Sequence, residues 1–134
     1  MLGKEPVLAD SSFYIGQMRQ RRDPLPLLLY LAEDRDLATC GVVRAEVGRG
    51  LRTLKVREAL GQAWDVMICV PTDNKLWAKV EQLAWTLDRR GMNLPLQDLI
   101  IGCCALQLDA VVLTCDRHFS SIPGLKVAYG PRDL

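Results

Sequence analysis

The 134 residues, 49% hydrophobic and 25% charged, fit a single globular domain over 1–134 and exclude a disordered or low-complexity chain. A formal net charge of only +1 excludes a generally basic nucleic-acid-binding surface, so any phosphate-binding face must be local. The longest apolar stretches, Leu25 to Ala32 and Leu99 to Ala105, are too short to span a bilayer, and MLGKEPVLAD lacks the apolar run of a secretory signal, so we expect no membrane partner and a cytoplasmic location.

Pro6 to Ala9 is a short apolar run ending in Asp10-Ser11-Ser12, which reads as a buried strand followed by a helix start, since Asp and Ser are good N-caps. Phe13 to Arg22 is predicted as the first helix and Leu25 to Glu33 as the second, with Pro24 at the boundary. Leu37 to Cys40 is a second strand. Val43, Val47, Leu51 and Leu54 recur at helical spacing, which predicts a third helix with one apolar stripe; Arg57 to Val66 continues as a further helix. Met67 to Val70 is a third strand before Pro71. Asn74 to Arg90 is a long amphipathic helix ended by Gly91. Pro95 to Leu108 is apolar nearly all round and should be the most buried helix. Ala110 to Thr114 and Lys126 to Tyr129 complete the strands. Short apolar strands alternating with helices imply an α/β fold with a parallel sheet of about five strands and helices on both faces.

Five cysteines, an odd count mostly among apolar neighbours, predict reduced thiols packed in the core. One His and no C-x-x-C pair speak against zinc. Trp64, Trp77 and Trp85 are read as core or interface residues. Trp77 and Trp85 lie on nearly one helix face and would mark a partner surface if exposed together.

Ligands of a parallel α/β sheet bind beyond the carboxyl ends of its strands. Asp10 directly follows the first strand and Asp116 the fourth, while Asp98 sits in the first turn of the buried helix. Each of the three is also in a position where an acid ordinarily caps a helix. Glu46 falls at the edge of the third helix's apolar stripe, where a side chain can lean over a cleft. Carboxylates cannot converge unaided: two like charges about 4 Å apart repel by roughly 4 kcal/mol at an effective dielectric of about 20. Protonation or a divalent cation must relieve that repulsion, and hard oxygen ligands select Mg²⁺ or Mn²⁺. Hydrolysis of a phosphodiester is the natural use of such a pocket, because the substrate supplies further oxygen ligands.

Four segments, in this order, resemble the PIN domain family and within it the small stand-alone VapC-type toxins. They are Val7-Leu-Ala-Asp-Ser-Ser12, Val42-Val-Arg-Ala-Glu46, Leu96-Gln-Asp-Leu-Ile-Ile-Gly-Cys-Cys-Ala105 and Leu113-Thr-Cys-Asp-Arg-His-Phe119. The resemblance covers nearly the whole chain. It implies a PIN-like three-layer sandwich around a five-stranded parallel sheet, dependence on Mg²⁺ or Mn²⁺, and endonucleolytic cleavage of RNA. It also implies a homodimer and, for the toxins, a complex with a small antitoxin protein. By it, the metal-binding and catalytic acids carry over to Asp10, Glu46, Asp98 and Asp116, and the supporting hydroxyls to Ser12 and Thr114. Gly102-Cys103-Cys104 departs from the family's usual small alanines, and Ser11 from its usual Thr.

RNA must also be held. Arg44, Arg49, Arg52, Lys55 and Arg57 crowd one helical region and Arg19, Arg21 and Arg22 another, and backbone contacts from such groups weaken with salt. Arg49, Arg52 and especially Arg117, beside Asp116, are candidate RNA contacts; His118 is read as a structural hydrogen-bonding group rather than a general acid. Two readings compete with a toxin ribonuclease: a PIN nuclease of RNA processing, and a catalytically silent module whose acids only cap helices. A phosphatase using Asp10 as nucleophile would want Asp two residues on, where Ser12 stands.

Overall fold

The computed structural model describes residues 4–134, so the first three residues of the segment inspected for a signal lie outside it. Its strands are β1 (Val7–Ala9), β2 (Leu37–Cys40), β3 (Ile68–Val70), β4 (Val111–Leu113) and β5 (Lys126–Ala128). The helices are α1 (Ser11–Arg19), α2 (Leu25–Ala32), α3 (Gly41–Gly48), α4 (Leu54–Asp65), α5 (Asn74–Arg89) and α6 (Leu96–Leu108). Short 3₁₀ turns follow at Arg117–Ser121 and Pro131–Asp133. The strands form one sheet in the order β3-β2-β1-β4-β5, and every neighbouring pair is parallel.

That order carries the architecture. The chain runs outward from β1 to β2 and β3, returns over the sheet through α5 and α6, and continues outward on the other side through β4 and β5. Right-handed crossovers made in opposite directions put their helices on opposite faces, giving the expected three layers. All three residues of β1 and of β4 are buried, as strands covered on both faces must be. The strand order reverses between β1 and β4, which opens a crevice at their carboxyl ends.

Helix α6 runs through the core, with Leu99 to Ala105 buried without interruption. Gly102 lets it approach closely: a Cβ there would stand 2.6 Å from Ile122 Cδ1, which is itself buried. Among the described residues no helix is long and apolar enough to cross a membrane. Cys40, Cys103 and Cys104 are buried free thiols as expected, whereas Cys69 and Cys115 are exposed.

One helix expectation fails. The stripe Val43-Val47-Leu51-Leu54 is not one helix: α3 ends at Gly48, Leu51 lies in the connecting loop, and Leu54 opens α4 at 66% exposure. The break is local chemistry. Glycines at 48 and 50 weaken helix continuation, and the Thr53 hydroxyl accepts the Val56 amide at 3.2 Å as a fresh N-cap. Helix α1 also begins two residues earlier than expected, at Ser11, because Asp10 itself is the cap.

Candidate metal centre

Each candidate acid is held by the element that presents it. Asp10 leaves β1 and caps α1, its Oδ1 accepting the Phe13 amide at 3.2 Å and the Ser12 hydroxyl at 2.8 Å. Ser12 Oγ also accepts the Cys115 amide at 3.0 Å and lies 3.1 Å from Thr114 Oγ1. With its single proton committed to Asp10, Ser12 leaves Thr114 to supply the proton between the two hydroxyls. Thr114 Oγ1 in turn accepts the Asp116 amide at 2.8 Å. One chain of hydrogen bonds therefore ties the end of β1 to the end of β4, through Ser12 and Thr114.

The other half of the pocket is assembled across α6. Asp116 caps the 3₁₀ turn by accepting the His118 amide at 2.9 Å. The same turn swings the His118 ring back, so that Nδ1 lies 2.9 Å from Asp98 Oδ2 and 3.2 Å from Asp116 Oδ1. One ligand atom from each of Asp98, Asp116 and His118 falls within a 4.8 Å cluster. Asp98 caps nothing; α6 is preceded by Pro95, and the Asp98 side chain is free to face the cluster.

Glu46 projects from α3, where it is half-buried, and accepts the Ser11 hydroxyl at 2.7 Å. Ser11 adjoins Asp10, so the helix-borne acid is fastened beside the strand-borne one. Asp10 and Glu46 thus join the Asp98-Asp116-His118 group through hydroxyls, not through carboxylate contacts.

The electrostatics show the strain of gathering these groups. Burial pushes the Asp10 carboxyl up to about 6, against the opposing pull of its bonds from Ser12 and Phe13. Asp10 is only 3% exposed. Asp98 is also raised, first by burial and further by the charge of Asp116, with the His118 bond opposing. His118 is raised in turn, chiefly because Asp98 holds its ring N–H. Burial of Asp10 and the crowding of Asp98 by Asp116 leave a negative charge that a bound cation would relieve. The donor set fits a hard divalent ion: carboxylate oxygens at close quarters, hydroxyls orienting two of them, and one imidazole.

The candidate RNA contacts are distributed unevenly. Arg52 and Arg19, both exposed, rim a groove of about 650 Å³ that opens on Glu46 and is floored by Ile15, Met18 and Val47. Arg49, also exposed, lines a neighbouring groove of about 930 Å³ with Arg44 and Arg57. Arg44 is already engaged, 2.9 Å from Asp65 and 5.5 Å from the Trp64 ring centroid. Trp64 is buried, while Trp77 and Trp85 are 43% and 61% exposed. Ser11 and His118 stand in the pocket without having been read as site residues. Their signal was adjacency, one residue after Asp10 and two after Asp116.

A family model for the PIN domain matches residues 7–125. Among solved structures, VapBC2 from Rickettsia felis bound to a DNA fragment from its promoter is similar at a TM-score of 0.76 and 19% identity, covering 92% of this chain and 97% of that one. DNA-bound VapBC from Salmonella typhimurium gives 0.74 and 18%, covering 93% and 98%. VapBC-1 from nontypeable Haemophilus influenzae gives 0.73 and 20%, covering 92% and 96%. At these identities the likeness is one of fold. No curated protein matches the sequence.

Proposed function

The chain belongs to the PIN domain family, and from that premise we propose that it is a Mg²⁺- or Mn²⁺-dependent endoribonuclease, the toxin of a toxin–antitoxin pair. The observation that carries the reading is the crevice between β1 and β4, where Asp98 and Asp116 meet at His118 and a buried Asp10 is wired to them through Ser12 and Thr114. Solvated helix caps would not need such burial, and Asp98 is not a cap at all. That contrast favours an enzyme over a silent module.

In this reading Asp10, Asp98 and Asp116 hold the ion and Glu46 completes the pocket, with Ser11 orienting Glu46 and Ser12 orienting Asp10. A bound divalent ion supplies a water of lowered pKa and neutralises charge on the phosphate. Water would attack phosphorus as the bond from phosphorus to the ribose 3′-oxygen breaks; the proton lost by the water passes to solvent, and the departing 3′-oxygen takes one from solvent to become a hydroxyl. His118, exposed beside Asp116, positions Asp98 and Asp116 through Nδ1. Exposed Arg49, Arg52 and Arg117 hold the RNA backbone.

The partners follow the same premise. VapBC-5 from Mycobacterium tuberculosis, also similar in fold, is a member of the VapBC family of toxin–antitoxin systems, which supports a small antitoxin as partner of this chain; a homodimer is the assembly proposed with it. The fold separates the toxin from an RNA-processing nuclease less well than a growth test does: expression should arrest growth and the neighbouring gene product should relieve it.

The central experiment is Asp98→Asn in a gel assay of RNA cleavage with Mg²⁺ or Mn²⁺. Loss of cleavage by at least a hundredfold, with the fold retained by circular dichroism, is expected. Undiminished cleavage would sink the site.

A further inference from the structure

Tyr129 is the first residue after β5, and β5 lies beside β4 with Ala128 in register with Leu113. The Thr114 amide donates to the Ala128 carbonyl at 2.9 Å, so Tyr129 shares the carboxyl rim of the sheet with Thr114, Cys115 and Asp116. The residue is 38% exposed. The other exposed aromatics, Tyr30, Trp77 and Trp85, lie on helices α2 and α5 rather than directly after a strand. Tyr129 is also held in place. Its amide donates to Asp133 Oδ2 at 2.9 Å, which anchors it to the terminal 3₁₀ turn. From the other side the Arg117 guanidinium carbon sits 5.2 Å from the ring centroid, and Arg117 directly follows Asp116.

An aromatic ring fixed at the rim, partly open to solvent, with a cation over it and the acidic pocket next in sequence to that cation, is suited to a particular job. Single-stranded RNA is gripped by charge along its backbone and by stacking of splayed bases on aromatic faces. We infer that Tyr129 is a stacking platform for an unpaired base flanking the scissile phosphate, with Arg117 beside it taking the neighbouring phosphate. The inference rests on the ribonuclease reading and adds to it a subsite that sets where the RNA lies. Stacking accepts every base, so the platform positions the strand without reading its sequence. The plainer role for the pair is to fasten β5 to the turn that carries Asp116.

The two roles separate in one set of measurements. Binding of a fluorescein-labelled single-stranded RNA is followed by anisotropy with Mg²⁺ in the Asp98→Asn background, alone and combined with Tyr129→Ala, Tyr129→Phe or Arg117→Ala. Tyr129→Ala should weaken binding about tenfold and Tyr129→Phe hardly at all, with the salt slope unchanged by either; Arg117→Ala should lower the slope by about one phosphate contact. With otherwise unmodified protein, Tyr129→Ala should raise KM more than it lowers kcat. An RNA abasic at the stacked position should give the same loss, not added to that of Tyr129→Ala. If the Asp98→Asn protein binds RNA and Tyr129→Ala changes its affinity by less than twofold, the platform is overturned while the nuclease reading stands. If the parent protein neither binds nor cleaves RNA, both fall together.

Discussion

A buried acid that is ionised at neutral pH makes the folded protein less stable, and Asp10 is the clearest instance. Burial raises its carboxyl from 3.8 to about 6, so the folded state holds that proton more tightly than the unfolded chain does. The contribution of Asp10 to stability is therefore full below about pH 4 and is lost as pH rises through 6, by about 3 kcal/mol in all. Asp10→Asn keeps an oxygen for the Phe13 amide and the Ser12 hydroxyl but needs no charge. We therefore expect it to abolish cleavage and yet melt higher than the parent at pH 7.5 in EDTA, by several degrees, with no gain at pH 4. A variant that melts lower at pH 7.5 would show that the burial penalty has been misread. Ser11 invites a complementary test, since its hydroxyl donates to Glu46 at 2.7 Å. Ser11→Ala should weaken Mn²⁺ binding by about tenfold in calorimetry, in line with the loss of a group that orients a metal ligand, while the melting temperature without metal moves little. At this scale the sequence was informative about the acids and less so about their partners. Asp10, Asp98 and Asp116 stand at strand ends and a helix start that short apolar runs, caps and Pro95 mark in the sequence. That Ser11 turns toward Glu46, 35 residues away, depends on α1 and α3 lying side by side, which no local pattern encodes.

Elements position these residues, and the packing between elements sets how much change the pocket tolerates. Helix α6 carries Asp98 at one end and touches the 3₁₀ turn of Asp116 and His118, with Gly102 against Ile122 at the contact. Gly102→Val forces the buried Ile122 aside and should cost about 1–3 kcal/mol in chemical denaturation. Replacing Ile122 by Val in the same chain should return part of that loss, because the clash is with the terminal carbon of Ile122. An unchanged denaturation midpoint for Gly102→Val alone would mean that the helix and the turn are not in tight contact. The existence of the eleven strands and helices among the described residues was legible from apolar runs, caps and prolines, since those signals are local. The boundary between α3 and α4 was misplaced for a physical reason: hydrophobic spacing survives across a loop, so Leu51 and Leu54 kept the helical period although Leu51 lies in the loop and Leu54 opens α4. Glycines 48 and 50 and the Thr53 cap were the better evidence.

For the molecule as a whole, an acidic crevice and scattered basic rims share a chain of net charge +1, and under the proposed function an ion in the crevice would be a structural ligand as well as a reagent. Nothing binds the crevice in the unfolded chain, where the four acids are far apart, and a ligand of the native state alone stabilises by mass action. At free Mn²⁺ a hundred times its Kd the gain is about 2.7 kcal/mol, a rise of several degrees in melting temperature for a chain of this size. Protons compete for the same oxygens. Asp10 is largely protonated at pH 5 and largely ionised at pH 7.5, and the raised Asp98 and His118 move the balance in the same direction. The melting shift produced by a fixed Mn²⁺ concentration should therefore be large at pH 7.5 and small at pH 5, and Asp10→Asn combined with Asp98→Asn should remove it at both. Scanning calorimetry across that range settles the matter. A shift of equal size at pH 5 and 7.5, or one that survives the double substitution, would put the ion somewhere other than the crevice between β1 and β4.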